Sequence, residues 1–213
     1  MTSCAVALTH LKRVDPHFHA ATKAHHSSLP TELKGKATNA ALFESLVSTV
    51  VSQQLGLAAA DAIFTRVKKV CGKLMPEAVL KARPAALRKA GLSGAKIKTI
   101  KEIAKAVKNK SLNLLSLKKL PEEEAAQKLL AIWGLGPWSV EMFMMFGVGH
   151  PDVFSAGDLG LVRAMEALYS LPKNHPREKL VAMAQKWAPH RTYASLLLWR
   201  TRDTKQAVPD FTK

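Results

Sequence analysis

The chain has 213 residues, of which 47% are hydrophobic, and its 32 Lys and Arg residues against 16 Asp and Glu residues give a net charge of +16. The apolar content is enough for a sizeable core and excludes wholesale disorder. The positive charge points to a polyanionic partner, for which nucleic acid is the default candidate. A basic surface without such a partner is the alternative.

Cysteine usage and the lack of long apolar runs narrow the class further. Cys4 and Cys71 are the two cysteines, which excludes a disulfide framework, a four-cysteine zinc site and a four-cysteine iron–sulfur cluster. No apolar run reaches the roughly 18 residues of a membrane span, and the first residues lack the basic region of a signal peptide. We therefore expect a cytoplasmic, nucleoid-associated protein, or a nuclear one in a eukaryote.

Helical spacing of apolar residues recurs along the chain and strand-like alternation is nearly absent, which predicts an all-α fold. The segment 95–108 places isoleucines on one face and lysines on the other, and we interpret each lysine as a solvated surface charge. In chain order, helices are predicted over residues 39–53, 57–71, "MPEAVLKA", "RPAALRKA", 95–108, "LPEEEAAQKLLAIW", the segment after Pro137, 159–169, 177–187 and 191–200.

Residues 131–146, "AIWGLGPWSVEMFMMF", interrupt an apolar helix with two glycines and a proline. Gly134 follows a helix predicted to end at Trp133, where a left-handed residue commonly terminates a helix, and the proline then opens the next helix. The N–H groups of Gly134, Gly136 and Trp138 could contact a phosphate of the DNA backbone without reading base sequence. An ordinary αα-hairpin is the alternative.

The sequence after this hairpin carries a family resemblance. "GVGHPDVFSAGDLGLVRAM" supplies a Gly/Pro-containing loop and an aspartate at a helix start. The combination resembles the helix–hairpin–helix–Gly/Pro–Asp (HhH-GPD) superfamily of DNA glycosylases, and within it the alkylbase branch of 3-methyladenine DNA glycosylase II. The similarity extends over most of the chain, through "LVSTVVSQQLGLAAADAIFTRV", "AGLSGAKIKTIKEIA" and "WAPHRTYASLLLWR".

The resemblance implies one glycosylase domain over residues 1–213, built as two helical subdomains flanking a DNA-binding cleft, with a helix–hairpin–helix motif. One subdomain would contain residues 38–130 and the other residues 1–37 plus 131–213. The implied activity is excision of alkylated purines, of the 3-methyladenine and 7-methylguanine type, from double-stranded DNA by a monomer that needs no cofactor. A noncatalytic helix–hairpin–helix DNA-binding protein is the alternative function.

Asp158 occupies the position of the family's catalytic aspartate. Hydrolysis of the bond between base and sugar passes through an oxocarbenium-like transition state, which a nearby carboxylate stabilises. A helix N-terminus favours the ionised form of such a group. On spacing alone, Ser155-x-x-Asp158 also reads as a capping box with no catalytic role.

Trp138 occupies the position where relatives that also cleave the DNA backbone carry a Schiff-base lysine. The resemblance therefore implies a monofunctional enzyme without AP-lyase activity. Trp138, Met142 and Trp199 would form the base pocket, because electron-rich rings suit a cationic purine. Burial of these side chains in the core is the alternative reading, above all for Met142.

"SQQLGLAAA" resembles the branch's loop that enters the minor groove of DNA. Gln54 aligns with the residue that fills the gap left by the flipped nucleotide, and Leu55 with a wedge beside it. Gly56 stands where some relatives carry a larger residue, and Leu55 packed inward is the alternative. Lysines of residues 96–119 and Arg163 are further candidates for phosphate contacts.

No metal site is predicted from the side chains. His17, His19, His25 and His26 have no other metal-ligating residues clustered with them in the sequence, so we expect a histidine-rich surface. The family's hairpin can hold a monovalent cation on backbone carbonyls, and the resemblance allows such a site at residues 131–137.

Overall fold

Residues 3–202 are described by the computed structural model, and all regular structure within them is helical, which confirms the all-α prediction. Within this range, β-pairing is limited to an isolated bridge between Ser3 and Glu32, and no helix is long and apolar enough to cross a membrane. In chain order the helices are α1 (Cys4–Val14), α2 (Pro16–Ala21), α3 (Asn39–Ser52), α4 (Leu57–Cys71), α5 (Pro76–Lys81), α6 (Pro84–Lys89), α7 (Gly94–Lys108), α8 (Glu122–Leu130), α9 (Pro137–Phe143), α10 (Leu159–Leu168), α11 (Arg177–Ala184) and α12 (Arg191–Arg202), with 3-10 turns at Lys23–Ser28, Ser116–Lys119 and Gln185–Trp187 and a π-helical turn at Met144–Val148.

The chain divides into two compact units. The terminal unit comprises the described parts of Met1–Lys34 and His150–Lys213, and the central unit is Gly35–Gly149. The sequence predicts an end of the central subdomain at residue 130, so the boundary in the structure differs from the predicted one. Residues 131–149 group with the central helices because α9 and the π-helical turn both pack against α3.

A buried carboxyl group organises the terminal unit. Asp15 caps the N-terminus of α2 by accepting from the Phe18 amide, and it also accepts hydrogen bonds from the Tyr169 hydroxyl and the Trp187 indole and pairs with Lys186. Burial alone would raise the pKa of Asp15, but these hydrogen bonds outweigh it and hold the pKa below its ordinary value. Phe18 packs on the fully buried Trp187, with ring centroids 4.7 Å apart, so α2 is anchored to the C-terminal part of the chain.

Two amphipathic helices supply much of the central core. Both begin with a side-chain cap, because Thr38 accepts from the Ala41 amide and Ser93 accepts from the Lys96 amide. Their apolar stripes face inward as the sequence predicts. The buried side chains are Leu42, Phe43, Leu46, Val47, Val50 and Val51 on α3, and Ile97, Ile100 and Ile103 on α7.

The lysine face of α7 differs from the predicted solvated surface at two positions. Lys96 donates to the carbonyl oxygens of Val51, at 2.7 Å, and Gln53, at 2.8 Å. Lys101 likewise donates to two carbonyl oxygens at the end of α5, at 3.3 and 3.0 Å. Helix C-termini leave carbonyls without intrahelical partners, and these two ammonium groups satisfy them. Both lysines therefore hold the central unit together.

Candidate active site

The carboxyl group of Asp158 is fixed at the N-terminus of α10, in the terminal unit. It is the N-cap residue, and its Oδ1 atom accepts a hydrogen bond from the Leu161 amide at 3.0 Å. The indole Nε1 of Trp199 donates to the same oxygen at 2.9 Å. The alternative in which Ser155 caps the helix and Asp158 completes a capping box is therefore wrong, because α10 begins directly after Asp158. Asp158 itself caps the helix.

Trp199 lies on α12, half-buried, and the structure gives it a partner that the sequence does not predict. Its ring is joined to the candidate catalytic carboxyl group through the hydrogen bond to Asp158. The neighbouring Leu159 side chain projects outward and is 67% exposed. The terminal unit thus presents an oriented carboxyl group flanked by an indole and an exposed aliphatic side chain.

Gly160 makes this arrangement possible and is missed by the sequence reasoning. A Cβ atom at this position would lie 2.9 Å from Asp158 Oδ1 and 3.1 Å from both Cδ1 and Nε1 of Trp199. The approach to Oδ1 is too close for a Cβ atom, so a larger residue would displace the Asp158 carboxyl group or the Trp199 ring beside it. The sequence signal for this contact is a glycine two residues after the aspartate. Its role can be recognised once Trp199 of α12 is known to lie beside it.

The hairpin (residues 131–137) lies in the central unit, and the helix before it ends earlier than predicted. α8 ends at Leu130, before a turn in which the Leu135 amide donates to the Ile132 carbonyl. Gly134 has φ +86° within that turn, and a Cβ there would collide with the Thr99 side chain. The predicted helix end at Trp133 is therefore wrong by three residues, because the chain leaves the helix before it reaches the glycine.

The second glycine of the hairpin has a different environment. Gly136 is the N-cap residue of α9, with φ −99°, and a Cβ there would meet nothing within 4 Å. Pro137 opens the helix as predicted. Among residues 3–202, no contact requires a glycine at position 136, so this stretch of backbone is open to an external partner.

Trp138 and Met142 lie one turn apart on α9. Trp138 is half-buried, whereas Met142 is buried, with 7% of its surface exposed. Both belong to the central unit, and Asp158 and Trp199 belong to the terminal unit. The terminal unit thus holds the hydrogen-bonded pair of Asp158 and Trp199, and the central unit holds Trp138 and Met142.

The predicted DNA-entering residues lie in an exposed turn between α3 and α4. Gln54 is exposed with φ +55°, a conformation that non-glycine residues rarely adopt. Leu55 is 39% exposed, so the alternative in which it packs inward is wrong. Gly56 is the exposed N-cap residue of α4, and a Cβ there would meet nothing within 4 Å.

Gln53, which sequence reasoning passes over, joins this turn to the hairpin. Its Nε2 donates to the buried Ser139 Oγ at 2.8 Å and to the Gly134 carbonyl at 3.2 Å. Lys96 donates to the carbonyl of the same glutamine, and burial lowers the pKa of this lysine below its ordinary value. The local sequence around Gln53 does not predict this bridge, because Gln53 and Ser139 are 86 residues apart.

Arg163, a candidate for a phosphate contact, instead makes contacts within the protein. Arg163 donates to Glu166 at 2.7 Å and to Asn174 at 3.2 Å, so its guanidinium group is engaged inside the terminal unit. Lys98 lies 4.0 Å from the centroid of the exposed Trp133 ring, beside the hairpin.

Within residues 3–202, no group of three or more His, Cys, Asp or Glu side chains is placed to hold a metal ion.

Comparisons with known proteins identify the family. The model of the HhH-GPD superfamily base excision DNA repair protein matches residues 47–190. A DNA-3-methyladenine glycosylase of Schizosaccharomyces pombe is 31% identical, in an alignment covering 100% of this chain and 92% of the relative.

Two solved structures extend the likeness to the fold. The S. pombe 3-methyladenine DNA glycosylase in complex with abasic DNA is 30% identical, with a TM-score of 0.80 over 95% of this chain and 98% of the other. A DNA-3-methyladenine glycosidase of Bacillus halodurans is 34% identical, with a TM-score of 0.73 over 92% and 89%. This chain belongs to the HhH-GPD superfamily of base excision DNA repair proteins.

Proposed function

We propose that the protein is a monofunctional DNA N-glycosylase that removes alkylated purines, of the 3-methyladenine and 7-methylguanine type, from double-stranded DNA. The target nucleotide turns out of the stack, and water hydrolyses the bond between base and sugar. The product is an abasic site in an unbroken strand, with which base excision repair begins. Action on DNA also makes the nucleoid or the nucleus the expected location.

The observation that carries this proposal is the oriented carboxyl group of Asp158. The Leu161 amide and the Trp199 indole direct one of its oxygens, as a carboxylate must be directed to stabilise a developing oxocarbenium ion. An N3- or N7-alkylated purine already carries positive charge and needs little acid catalysis to leave. One carboxylate is therefore sufficient for the chemistry.

The contacts to DNA would come from the central unit. The open backbone at Gly136 and the first amides of α9 suit a phosphate oxygen, and the exposed Gln54 and Leu55 suit entry into the minor groove. A monovalent cation on the hairpin carbonyls is compatible with this role. All of these contacts are independent of base sequence, as repair of scattered lesions requires.

Base recognition is proposed for the aromatic side chains. Trp199, which donates to Asp158, would stack on the positively charged purine. Trp138 and Met142 on α9 stay predicted for base recognition. Because a tryptophan occupies position 138, the chain offers no amine there for a Schiff base. This is the support for a monofunctional enzyme.

Release of free base from methylated duplex DNA tests the proposal. The protein is incubated with methylated DNA, and the small molecules released are identified by mass spectrometry. Alkylated purines are expected, with strands that stay intact until alkali cleaves the abasic sites. Tight binding without base release would instead support the noncatalytic DNA-binding alternative.

Borohydride trapping tests the monofunctional assignment separately. A Schiff base between a lysine and the abasic sugar would be reduced to a stable covalent complex. We expect no such complex after incubation with lesion-containing duplex and borohydride. A shifted protein–DNA band that survives denaturation would contradict the assignment, even if base release is observed.

A further inference from the structure

Gln53 bridges two segments with separate proposed tasks on DNA. Its side-chain amide has two donor hydrogens and directs them at two acceptors, Ser139 Oγ and the Gly134 carbonyl. Gly134 shapes the turn of the hairpin, and Ser139 lies in the first turn of α9. One side chain therefore connects the exposed turn after α3 to both the loop and the helix of the hairpin.

The backbone at Gln53 is held as firmly as its side chain. Lys96 reaches from α7 to the carbonyls of Val51 and Gln53. The next residue, Gln54, takes a positive φ of 55°, a conformation that persists where surrounding contacts over-determine it. The direction in which Gln54 and Leu55 project is thus set by contacts of the residue before them.

We infer that Gln53 is a positioning residue, which couples the turn carrying Gln54 and Leu55 to the hairpin so that both engage the same DNA strand in register. The inference rests on the proposed function. Misplacement of a reacting group by about 1 Å can cost on the order of 100-fold in rate. The bridge fixes the spacing between the hairpin, which would contact the DNA backbone, and the residues that would replace the flipped base. Leucine at position 53 would lack both donors, and glutamate would turn an oxygen toward the Gly134 carbonyl.

Two variants isolate the bridge. Gln53→Leu removes both donors at similar volume, and Ser139→Ala removes one acceptor while leaving the bond to Gly134. Gln127→Leu is the matched control, because the side-chain amide of Gln127 donates to Glu123 on the exposed face of α8, away from the bridge. Melting curves of all three variants verify folding before any rate is compared.

The readout is single-turnover base release from two duplexes. In the first the alkylated purine is paired, and in the second it faces an abasic analogue, so that less energy is needed to flip it. Gln53→Leu should slow release from the paired duplex about tenfold, the effect of one to two net hydrogen bonds, and slow the unpaired duplex much less. Ser139→Ala should show the same selectivity with a smaller loss, and it carries the test if Gln53→Leu does not fold.

A double-mutant cycle shows whether Gln53 acts through the turn. In a Leu55→Ala background, Gln53→Leu should add little further loss, because the side chain it positions is gone. Additive losses, equal slowing on both duplexes, or wild-type rates in both bridge variants would overturn the inference. Absence of base release by the wild-type protein would instead contradict the proposed function itself.

Discussion

At the scale of single residues, the proposed chemistry depends on the contact between Asp158 and Trp199. The two side chains come from α10 and α12 and meet over Gly160, whose missing Cβ leaves room for both. The carboxyl group has a structural role as well, since it caps α10. Loss of activity on mutation must therefore be separated from loss of the cap.

Gly160→Ala should impair base release while leaving the fold intact. The added methyl group displaces Asp158 Oδ1, 2.9 Å away, or the indole beside it. A displacement of this kind should slow single-turnover release about 10- to 100-fold. Alanine favours the helix by about 1 kcal/mol over glycine, which offsets a weakened Asp158 cap of similar size, so the melting temperature should change little.

Gly94→Ala is the control for this prediction. Gly94 also lies in the first turn of a helix, α7, and a Cβ there would make an ordinary contact at 3.4 Å with Arg88. Its release rate should match that of the wild type. Equal rates for the two alanine variants would refute the role assigned to Gly160.

At the scale of elements, the hairpin depends on two glycines for different reasons. Gly134→Ala should destabilise the protein by about 1–3 kcal/mol, because alanine is strained at positive φ and its Cβ meets Thr99. Gly136→Ala should leave the melting temperature unchanged, because nothing lies within 4 Å of its Cβ.

The Gly134→Ala and Gly136→Ala variants also separate an effect on folding from an effect on DNA binding. In Gly136→Ala the methyl group would stand between the open backbone and a phosphate. Affinity for duplex DNA, measured by fluorescence anisotropy, should fall about tenfold, the effect of one charge-assisted hydrogen bond. A Gly136→Ala protein that binds DNA as well as the wild type would show that the hairpin is only a helix connection.

The helices with long apolar stripes could be predicted from the sequence, and the short ones tied down by distant residues could not. α4 begins and ends at the predicted residues and α3 differs by one, because periodic apolar residues and a capping Thr or Gly mark them locally. α2 has six residues, and its anchor is the contact between Asp15 and Trp187, 172 residues apart. No local pattern carries that information.

The candidate site divides in the same way. The family resemblance assigns Asp158, Trp138 and Gln54 to the site, and their roles there stay predictions. The contacts of Gln53 and Gly160 cannot be predicted in this way, since each depends on a side chain or backbone brought close by folding. The contacts of Lys96 and Lys101 on α7 cannot be predicted for the same reason, because the carbonyls to which they donate belong to other helices.

At the scale of the whole molecule, the net charge of +16 makes binding to DNA dependent on salt. Each phosphate neutralised contributes about 0.9 to the slope of log affinity against log salt concentration. With roughly six contacts, the affinity for undamaged duplex should fall about 1,000-fold between 50 and 200 mM salt. Titrations at several salt concentrations measure this slope.

Lys101→Met separates internal from external lysines in that experiment. The ammonium group of Lys101 is bonded to two carbonyls at the end of α5, so its loss should lower the melting temperature and leave the salt slope unchanged. A slope reduced by about one would mean instead that Lys101 contacts a phosphate.

The most direct test of the central claim compares base release by the wild-type protein and Asp158→Asn. Asparagine keeps an Oδ1 atom that can accept from both the Leu161 amide and Trp199, so the cap, the fold and DNA binding should persist. The carboxylate charge is lost, and single-turnover release of 3-methyladenine or 7-methylguanine from duplex DNA should fall at least about 100-fold. Wild-type release by the folded Asp158→Asn protein would contradict the account.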